Sequence, residues 1–454
     1  FALDLGVVEV TKATVRLAID NGNVSVELRG LAAKIEVPGV VEGGGQVKVG
    51  AAGDISAAID LTIIPADISA WAALVYKKPM TQIAAGVKFA TAIPLAATGL
   101  GIYGFLGRFV SNGTRQMPAQ TDPVERELAW YRADELDKYT PQEGQFALGL
   151  GAIVGTLPDA GFSFNAVGML AIEFPDPSVV FGIDAKFIAK PEAQPKEKGD
   201  VNASSLKMLG LIAVDEDGLV IGVRGSYEIP KLLQVFIPAG AYFPFGDGPG
   251  DAYVRIGCDN AGGRSGQPVT ITVLPGILDQ KCWAYFMVEE KQLHQLGGDP
   301  DFNLDGFSIG FGAGWGFKWG GGPIYLRASA EVLIGLGTRP FVVMGKVKVE
   351  GELRLIIVSI SVSGEITVRL ADNGSYLKGK FCGKVSFLFF DIEGCVEFTV
   401  QGNADPPPPN PGPLVSGLSL ADPFRWLEDE KSPEVQTWMK AQDDFARKNL
   451  HALP

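Results

Sequence analysis

The sequence predicts a mainly β protein, in which long antiparallel strands run as a bent meander and form large sheets, a barrel or a trough. Two observations carry this prediction. Apolar side chains recur at every second residue over long stretches, which is the period of a strand with one apolar face. The 454 residues also include 58 Gly and 30 Pro, which favour strands and turns over long helices. One short helix near residues 123–136 and a helical C-terminal unit complete the predicted fold.

Composition and charge exclude two broad classes. Apolar residues make up 46% of the chain and charged residues 20%, so a large core is available and global disorder is excluded. The net charge of −13 repels phosphate backbones, and we therefore expect no nucleic-acid partner.

Residues 1–120 alternate like strands that are separated by glycines. Within them, Phe89 to Gly107 carries no charge and is long enough to span a bilayer as a helix. Pro94 and four glycines weaken such a helix, and the Ala and Thr content is only mildly apolar. A pair of buried strands is therefore the favoured interpretation of this segment.

The clearest helix before the C-terminus follows Thr121 and Asp122, either of which can cap it, with Pro123 in its first turn. Its apolar face consists of Val124, Leu128 and Tyr131. The polar segment 190–200 contains two prolines and predicts an exposed loop, which is a candidate boundary within the β region.

Residues 341–402 contain the longest alternation, and its phase changes twice, near residues 356 and 390. Both changes lie about equally far from the hairpin signal Asn373-Gly374. One long hairpin with a bend that crosses both strands explains this symmetry, and we favour it. The alternative is a tight turn at each change, which places Ile, Leu and Phe where turns favour Gly, Asn or Asp.

The cysteines distinguish these two models, because a tight turn at 388–389 sets Cys382 opposite Cys395, whereas the bent hairpin leaves both on one strand. The other two cysteines are Cys258 and Cys282, and none of the four has CxxC spacing. Only His294 and His451 could join them at a zinc site. We therefore expect four free, buried thiols.

Composition divides the chain into a β-rich region at 1–402, a Pro-rich linker at 403–413 and a helical tail at 414–454. The first residue is Phe1, without a Met or a signal-peptide core, so we expect a fragment of a longer protein. The compartment cannot be read from a targeting signal, and an extracellular or cell-envelope location is favoured.

The tail carries a family resemblance in Asp422-Pro423-Phe424-Arg425-Trp426-Leu427-Glu428-Asp429, Ser432-Pro433-Glu434-Val435 and Trp438-Met439-Lys440-Ala441-Gln442. Over residues 416–454 it resembles the N-terminal segment of prolyl oligopeptidases, with Phe424 where that family usually has Tyr. The resemblance implies a segment that packs on an α/β-hydrolase domain covered by a β-propeller, whose catalytic residues lie downstream. This chain has only two histidines, so a Ser-His-Asp triad has almost no material. We therefore identify no catalytic constellation, and we expect a peptidase only if the chain continues beyond Pro454.

The same tail segment predicts an amphipathic helix that Ser432 caps and Pro433 begins. Its apolar face comprises Val435, Trp438, Met439, Phe445 and Leu450.

Residues 1–402 more loosely resemble a family of large, uncharacterised bacterial β-rich proteins. The features concerned are the glycine run Gly99 to Gly107, the segment Phe181 to Lys186, and the segment Gly306 to Gly312. This resemblance implies a β-rich fold and no activity.

One candidate metal site is present. Asp301, Asn303 and Asp305, followed by Gly306, have the opening spacing of a calcium loop, and Asp299 could add an oxygen. Gly312 stands where such a loop has a bidentate Glu, and a strand follows in place of a helix. An acidic turn without metal is the alternative; no other cofactor is implied.

Two glycine-rich segments have a functional and a packing interpretation. Gly99, Gly101 and Gly104 match the letters of a dinucleotide fingerprint, but no capped helix follows, which favours glycines that permit close strand packing. Trp315 and Trp319 could stack on a sugar or a lipid, and sheet packing is the alternative.

The sequence is consistent with two functions. The first is a non-catalytic structural or binding protein whose long sheets present an apolar surface to a hydrophobic small molecule, a lipid or further β-repeats. The second is the front part of a fusion with a prolyl-oligopeptidase-like serine peptidase, whose catalytic domain lies outside this sequence.

Overall fold

A computed structural model describes residues 3–4, 8–20, 23–50, 53–189, 205–246, 248–276, 278–372, 374–387, 389–401, 432–433, 435–437 and 439–440. Within this part of the chain, two short strands form a small sheet and twenty-three strands form one large sheet. The strands are β1 Leu3–Asp4, β2 Val8–Asp20, β3 Asn23–Val37, β4 Val41–Val49, β5 Ile55–Ile63, β6 Ile68–Lys77, β7 Met80–Pro94, β8 Leu100–Arg115, β9 Tyr139–Thr156, β10 Phe164–Phe174, β11 Ser178–Phe187, β12 Ser205–Val214, β13 Gly218–Ile229, β14 Leu233–Pro244, β15 Tyr253–Ile256, β16 Val269–Val273, β17 Gln280–Glu289, β18 Gln292–Leu293, β19 Leu304–Asp305, β20 Ser308–Gly321, β21 Ile324–Thr338, β22 Phe341–Leu355, β23 Val358–Ala371, β24 Tyr376–Phe387 and β25 Asp391–Gln401.

The large sheet is an antiparallel meander in which each strand pairs with the next strand of the chain. The exceptions are β15 and β16, which occupy one position between β14 and β17, and the pair β18–β19, which forms the small sheet. Several strands are far longer than the usual five or six residues, and β9 has 18. The predicted mainly β fold with long antiparallel strands is confirmed.

The uncharged segment from Phe89 to Gly107 forms a pair of strands, as predicted, but the pair is not buried: Ile93 is 50% exposed and Phe105 43%. It covers the end of β7 and the start of β8, which meet at a turn where Gly99 has a φ of +75°. In the described part of the chain, no helix has the length and apolar character needed to cross a membrane.

The bent hairpin is wrong, because the chain makes tight turns near 356 and 389. The two residues Ile356 and Ile357 connect β22 to β23, and the turn after Phe387 leads to β25, with Leu388 outside the described residues. Ile356 has a φ of +36°, a conformation that branched residues rarely adopt. The expectation of polar turn residues assumes a turn in water, and these turns do not follow it.

Cys382 and Cys395 lie directly opposite each other on β24 and β25 and form a disulfide. The expectation of four free thiols, which rested on the cysteine number and the missing CxxC spacing, is therefore wrong for this pair. The turn near 389 brings together two cysteines that are 13 residues apart. Cys258 is buried and free, and Cys282 is half-buried and free.

The predicted helix, α1, spans Pro123–Arg132 and is confirmed, although it ends four residues before the predicted limit. Asp122 is its N-cap: its Oδ1 accepts a hydrogen bond from the backbone N–H of Glu125 at 3.0 Å. A short 3₁₀ turn at Glu135–Asp137 then leads into β9.

Helix α1 lies on the large sheet at positions where three of four consecutive strands carry a glycine. A Cβ on Gly240 would lie 2.8 Å from Val124, one on Gly222 would lie 3.1 Å from Leu128, and one on Gly182 would lie 2.1 Å from Tyr131. These glycines belong to β14, β13 and β11. The predicted apolar face of the helix thus packs directly on strand backbone, which needs glycine at these sites.

The glycines under α1 give a first testable prediction. We expect Gly182→Ala to lower the free energy of unfolding by about 1–3 kcal/mol, because the added methyl group overlaps the ring of Tyr131. Gly345→Ala is the matched control, since a Cβ there meets nothing within 4 Å. Denaturant titration compares the two; an equal, small effect of both substitutions would contradict this account of the helix contact.

Two clusters of buried side chains form the core. The first lies under α1 and includes Met80, Val110, Trp130 and Tyr139. The second lies under the connection between β17 and β20 and includes Met287, Leu293, Leu296, Phe302 and Leu304.

The chain divides into two compact units, residues 1–403 and 404–454. In the second unit, Ser432 accepts a hydrogen bond from the N–H of Val435 at 3.1 Å, and Val435 is buried. Ser432 thus caps the helical turn as predicted, whereas Met439 is 53% exposed. Trp438, Phe445, Leu450, the predicted linker and the loop at 190–200 lie outside the described residues.

Candidate binding surface

One face of the large sheet carries almost only apolar side chains and glycines. Directly paired residues of neighbouring strands project to the same face, so the register identifies rows of side chains across the sheet. One such row, followed from β25 to β10, is Val396, Phe381, Gly364, Val349, Ala330, Trp315, Cys282, Ile271, Val235, Tyr227, Leu206, Phe187 and Phe164. We call the face that carries this row the apolar face and the opposite one the polar face.

The apolar face is exposed. Val396 is 69% exposed, Val349 47% and Leu206 41%, and similar values hold on other strands. Among register-paired residues of the described strands, no Asp, Glu, Lys or Arg projects to this face. Isolated exposed apolar residues are normal, but a contiguous patch of this extent marks an interaction surface.

Both tryptophans with a predicted functional alternative project to the apolar face. Trp315 is 37% exposed and Trp319 60%. The tight turns at one end of β22–β25 are apolar as well: Ile356 is 66% exposed and Phe389 90%. The surface therefore extends from the strands into the turns that connect them.

The polar face holds a buried charge cluster centred on Arg115, at the end of β8. Its Nη1 donates to Oε2 of Glu127 on α1 at 2.6 Å, and its Nε donates to Oε2 of Glu173 on β10 at 2.9 Å. Its Nη2 donates to the Ser178 hydroxyl at 2.8 Å. Burial raises the pKa of the Glu127 carboxyl, and the charge of Arg115 opposes that rise. This cluster fastens α1 to three strands.

A second cluster holds the start of α1. Both carboxylate oxygens of Asp122 accept from the Tyr253 hydroxyl at 2.9 Å, and Oδ2 accepts from Nη1 of Arg255 at 2.9 Å. Arg255 also donates to Glu289 through Nε at 2.7 Å and Nη2 at 3.1 Å. Burial, then the charge of Asp122, raises the pKa of Tyr253. The cap residue of α1 is thereby bound to β15 and β17.

Beyond the helix, Lys138 is buried with its ammonium group directed at the end of α1. Its Nζ donates to the carbonyl oxygen of Trp130 at 3.2 Å and lies 5.1 Å from the centre of the Trp130 ring. Burial, and then the charge of Arg108, lowers the pKa of Lys138 to about 8.

The lowered pKa of Lys138 gives a second testable prediction. Between pH 8 and 10.5 the unfolded chain carries a proton on this lysine that the folded protein has released, so the lysine's contribution to stability increases with pH. We expect wild type to gain about 2 kcal/mol in free energy of unfolding relative to Lys138→Met between pH 8 and 10. Chemical denaturation of both proteins across this range measures the difference in free energy of unfolding. A difference that does not change with pH would contradict the lowered pKa of Lys138.

The predicted calcium-loop residues lie in the connection before β20, where the side chains of Asn303 and Asp305 contact protein groups. The Oδ1 of Asn303 accepts from the N–H of Gln295 at 3.0 Å, and the Oδ1 of Asp305 lies 2.7 Å from Nε2 of His294. The backbone N–H of Asp301 donates to Asp299. Across the described residues, no group of three or more His, Cys, Asp or Glu side chains is placed to hold a metal ion. The calcium site stays a prediction.

The candidate dinucleotide glycines occupy a turn and β8 and do not precede a helix. A Cβ on Gly104 would lie 2.3 Å from the carbonyl oxygen of Val87. A Cβ on Gly101 would lie 2.7 Å from the Cβ of Ala92. These glycines permit close packing of β7 on β8, as the packing interpretation predicts.

Sequence reasoning missed the buried charge clusters. The charged residues of the polar face alternate with apolar ones, which is also the pattern of a solvated strand face. The partners are far apart in the chain: Arg115 and Glu173 are 58 residues apart. Only Arg108 and Arg115, the two charged residues of β8, could have indicated these clusters.

Comparison with known proteins identifies one segment. Residues 413–454 match the family model of the prolyl oligopeptidase N-terminal beta-propeller domain. This confirms the resemblance of the tail, which covers under a tenth of the chain. No curated protein matches the sequence, and no solved structure matches it.

Proposed function

We propose that this protein is a non-catalytic lipid-binding protein, whose large sheet presents its apolar face to lipid hydrocarbon. The observation that carries the proposal is the uninterrupted, uncharged and exposed apolar face. Burial of such a surface is worth about 25 cal/mol per Å², and an occupant without polar groups to satisfy matches a face without charges.

The extent of the face favours hydrocarbon over a protein partner. It crosses the meander from β2 to β25, whereas stable protein interfaces have a limited core surrounded by a polar rim. The register-paired residues contain no charged rim on this face. Lipid chains cover a surface of any outline, because they are fluid and need no shape complementarity.

The distribution of polar groups also supports this proposal. The charge clusters, helix α1 and both buried cores lie on the polar face, so the sheet obtains its packing there and leaves the apolar face open. The exposed Ile356 and Phe389 suit turns that contact the same hydrocarbon. The disulfide Cys382–Cys395 supports an extracellular or cell-envelope location, where such bonds persist.

Lipid extraction and re-binding test this function. We expect lipid to be found by mass spectrometry on protein isolated without detergent exchange, and delipidated protein to take up a fluorescent fatty acid. Binding should change little between 50 mM and 500 mM salt, because the face has no charges to screen. Protein that carries no lipid and takes up no fatty acid would contradict the proposal.

A second candidate rests on the match at residues 413–454. In this candidate the β-rich region precedes a prolyl-oligopeptidase-like serine peptidase in a longer protein. The mass of the native protein and its labelling by a fluorophosphonate test it: a much larger, labelled species supports the fusion, and an unlabelled species of 48.1 kDa contradicts it.

A further inference from the structure

At each end of the sheet, one strand has an edge that lacks a partner among the described residues: β2 at one end and β25 at the other. Strand β1 covers only Glu9 and Val10 of β2, which leaves residues 11–20 open. Strand β25 pairs with β24 alone, and its other edge is open over 11 residues. An open edge presents a row of backbone N–H and C=O groups that can bind another strand.

The side chains of these two edges are complementary in charge. On the polar face, β2 carries Lys12 and Arg16, and β25 carries Glu393 and Glu397, with the same spacing of four residues. Neither Lys12 nor Arg16 forms an ion pair within the described part of the chain; Glu27, the register partner of Arg16 on β3, pairs with Arg29. Glu397 already pairs with Lys380 at 2.6 Å.

We propose that the open edge of β25 binds β2 of a second copy of this chain, in parallel, with Lys12 beside Glu393 and Arg16 beside Glu397. This register sets Val15 beside Val396 and Leu17 beside Phe398. These four residues belong to the apolar faces of the two copies, so that face continues across the junction. The open part of β2 and the length of β25 also match.

The parallel direction follows from the meander. An even number of antiparallel steps separates β2 from β25, so the two strands point the same way. A second copy placed beside the first by translation therefore presents β2 parallel to β25 with the apolar face on the same side. If β2 of the second copy ran antiparallel to β25, the second copy would be turned over, and its apolar face would lie on the same side as the polar face of the first copy.

Charge disfavours the symmetric alternatives. Two β25 edges paired antiparallel about Cys395 place Glu393 opposite Glu397, and two β2 edges paired about Thr14 place Lys12 opposite Arg16; like charges directly opposite are destabilising. Closure of one sheet on itself is the remaining alternative. Within the described residues of the unit 1–403, β2 and β25 are not paired, which favours the second copy.

Cysteine cross-linking between two different variants tests this contact. Lys12→Cys and Glu393→Cys proteins, both with Cys282→Ala, are mixed and oxidised. We expect a disulfide-linked heterodimer, and at least fivefold less product from Lys12→Cys mixed with Glu397→Cys, which lies four residues, or about 13 Å, out of register. No heterodimer, or equal yields from both mixtures, would overturn the proposal.

Two further measurements complete the test. The double variant Lys12→Cys/Glu393→Cys should form a ladder of multimers, whereas cross-linking without an increase in mass would overturn the proposal in favour of closure within one chain. We expect wild type to associate with increasing concentration in sedimentation experiments. Lys12→Glu/Arg16→Glu should abolish this association, and adding Glu393→Lys/Glu397→Lys should restore it. Circular dichroism verifies that each variant is folded. If wild type stays monomeric at all concentrations, the proposed contact between copies is overturned.

Discussion

Arg115→Met is expected to lower the free energy of unfolding by about 3–5 kcal/mol at neutral pH, because it leaves buried carboxylates without their cation. Glu127 is 1% exposed and Glu173 7%, and Arg115 is the ion-pair partner of both. Their desolvation cost is then uncompensated, and α1 loses its fastening to β8 and β10. Denaturant unfolding monitored by circular dichroism measures the loss.

The pH dependence identifies the mechanism of this loss. Without Arg115, the pKa of Glu127, which burial already raises, rises further, and the carboxyl is protonated on folding. The stability difference between wild type and Arg115→Met should therefore shrink as pH falls from 7 to 4, and adding Glu127→Gln should recover part of the loss. Arg327→Met is the control: its side chain is 57% exposed in its ion pair with Glu352, and we expect a loss of less than about 1 kcal/mol. An equal loss in both variants at every pH would contradict the buried cluster.

Lysine on the apolar face is expected to weaken lipid binding at least tenfold while the fold persists. The triple variant carries Val349→Lys, Val362→Lys and Val396→Lys, at side chains that are 47%, 59% and 69% exposed. Each ammonium group must leave water to contact hydrocarbon, and about 1.4 kcal/mol of that cost already corresponds to tenfold in affinity. Fluorescent fatty-acid titration measures the change.

A matched variant adds the same charge to the polar face. Ser361→Lys, Ser386→Lys and Thr399→Lys lie on β23, β24 and β25 and project to the other side of the sheet. This variant should bind fatty acid within about twofold of wild type. If both triple variants bind equally, net charge and not the apolar face determines binding.

The strands and helix α1 were predictable because their signals are local. The alternation along residues 341–370 requires strands whatever surrounds them, and Asp122 and Pro123 mark a helix start by themselves. The turn at Ile356 was not predictable, because turn preferences favour Gly, Asn or Asp at a positive φ, and Ile356 has a φ of +36°. Choosing the bent hairpin also misplaced Cys382 and Cys395.

Alternation predicts two unlike faces but not which face is covered. Here the cover comes from α1 and the connection that contains Leu296 and Phe302, and both lie on the polar face. The packing of Leu128 on Gly222 and the ion pair of Arg115 with Glu173 depend on strand order, which no single segment encodes. The apolar surface was therefore predictable as a pattern, and its exposure was not.

Quenching of tryptophan fluorescence by brominated lipid tests the central claim most directly. Trp315 and Trp319 lie on the apolar face, whereas Trp71 and Trp283 lie on the polar face. Bromine on the acyl chains quenches only tryptophans in contact with hydrocarbon. We expect Trp315→Phe/Trp319→Phe to lose most of the quenching and Trp71→Phe/Trp283→Phe to retain it. Quenching that survives the first pair of substitutions and is lost in the second would contradict lipid binding at the apolar face.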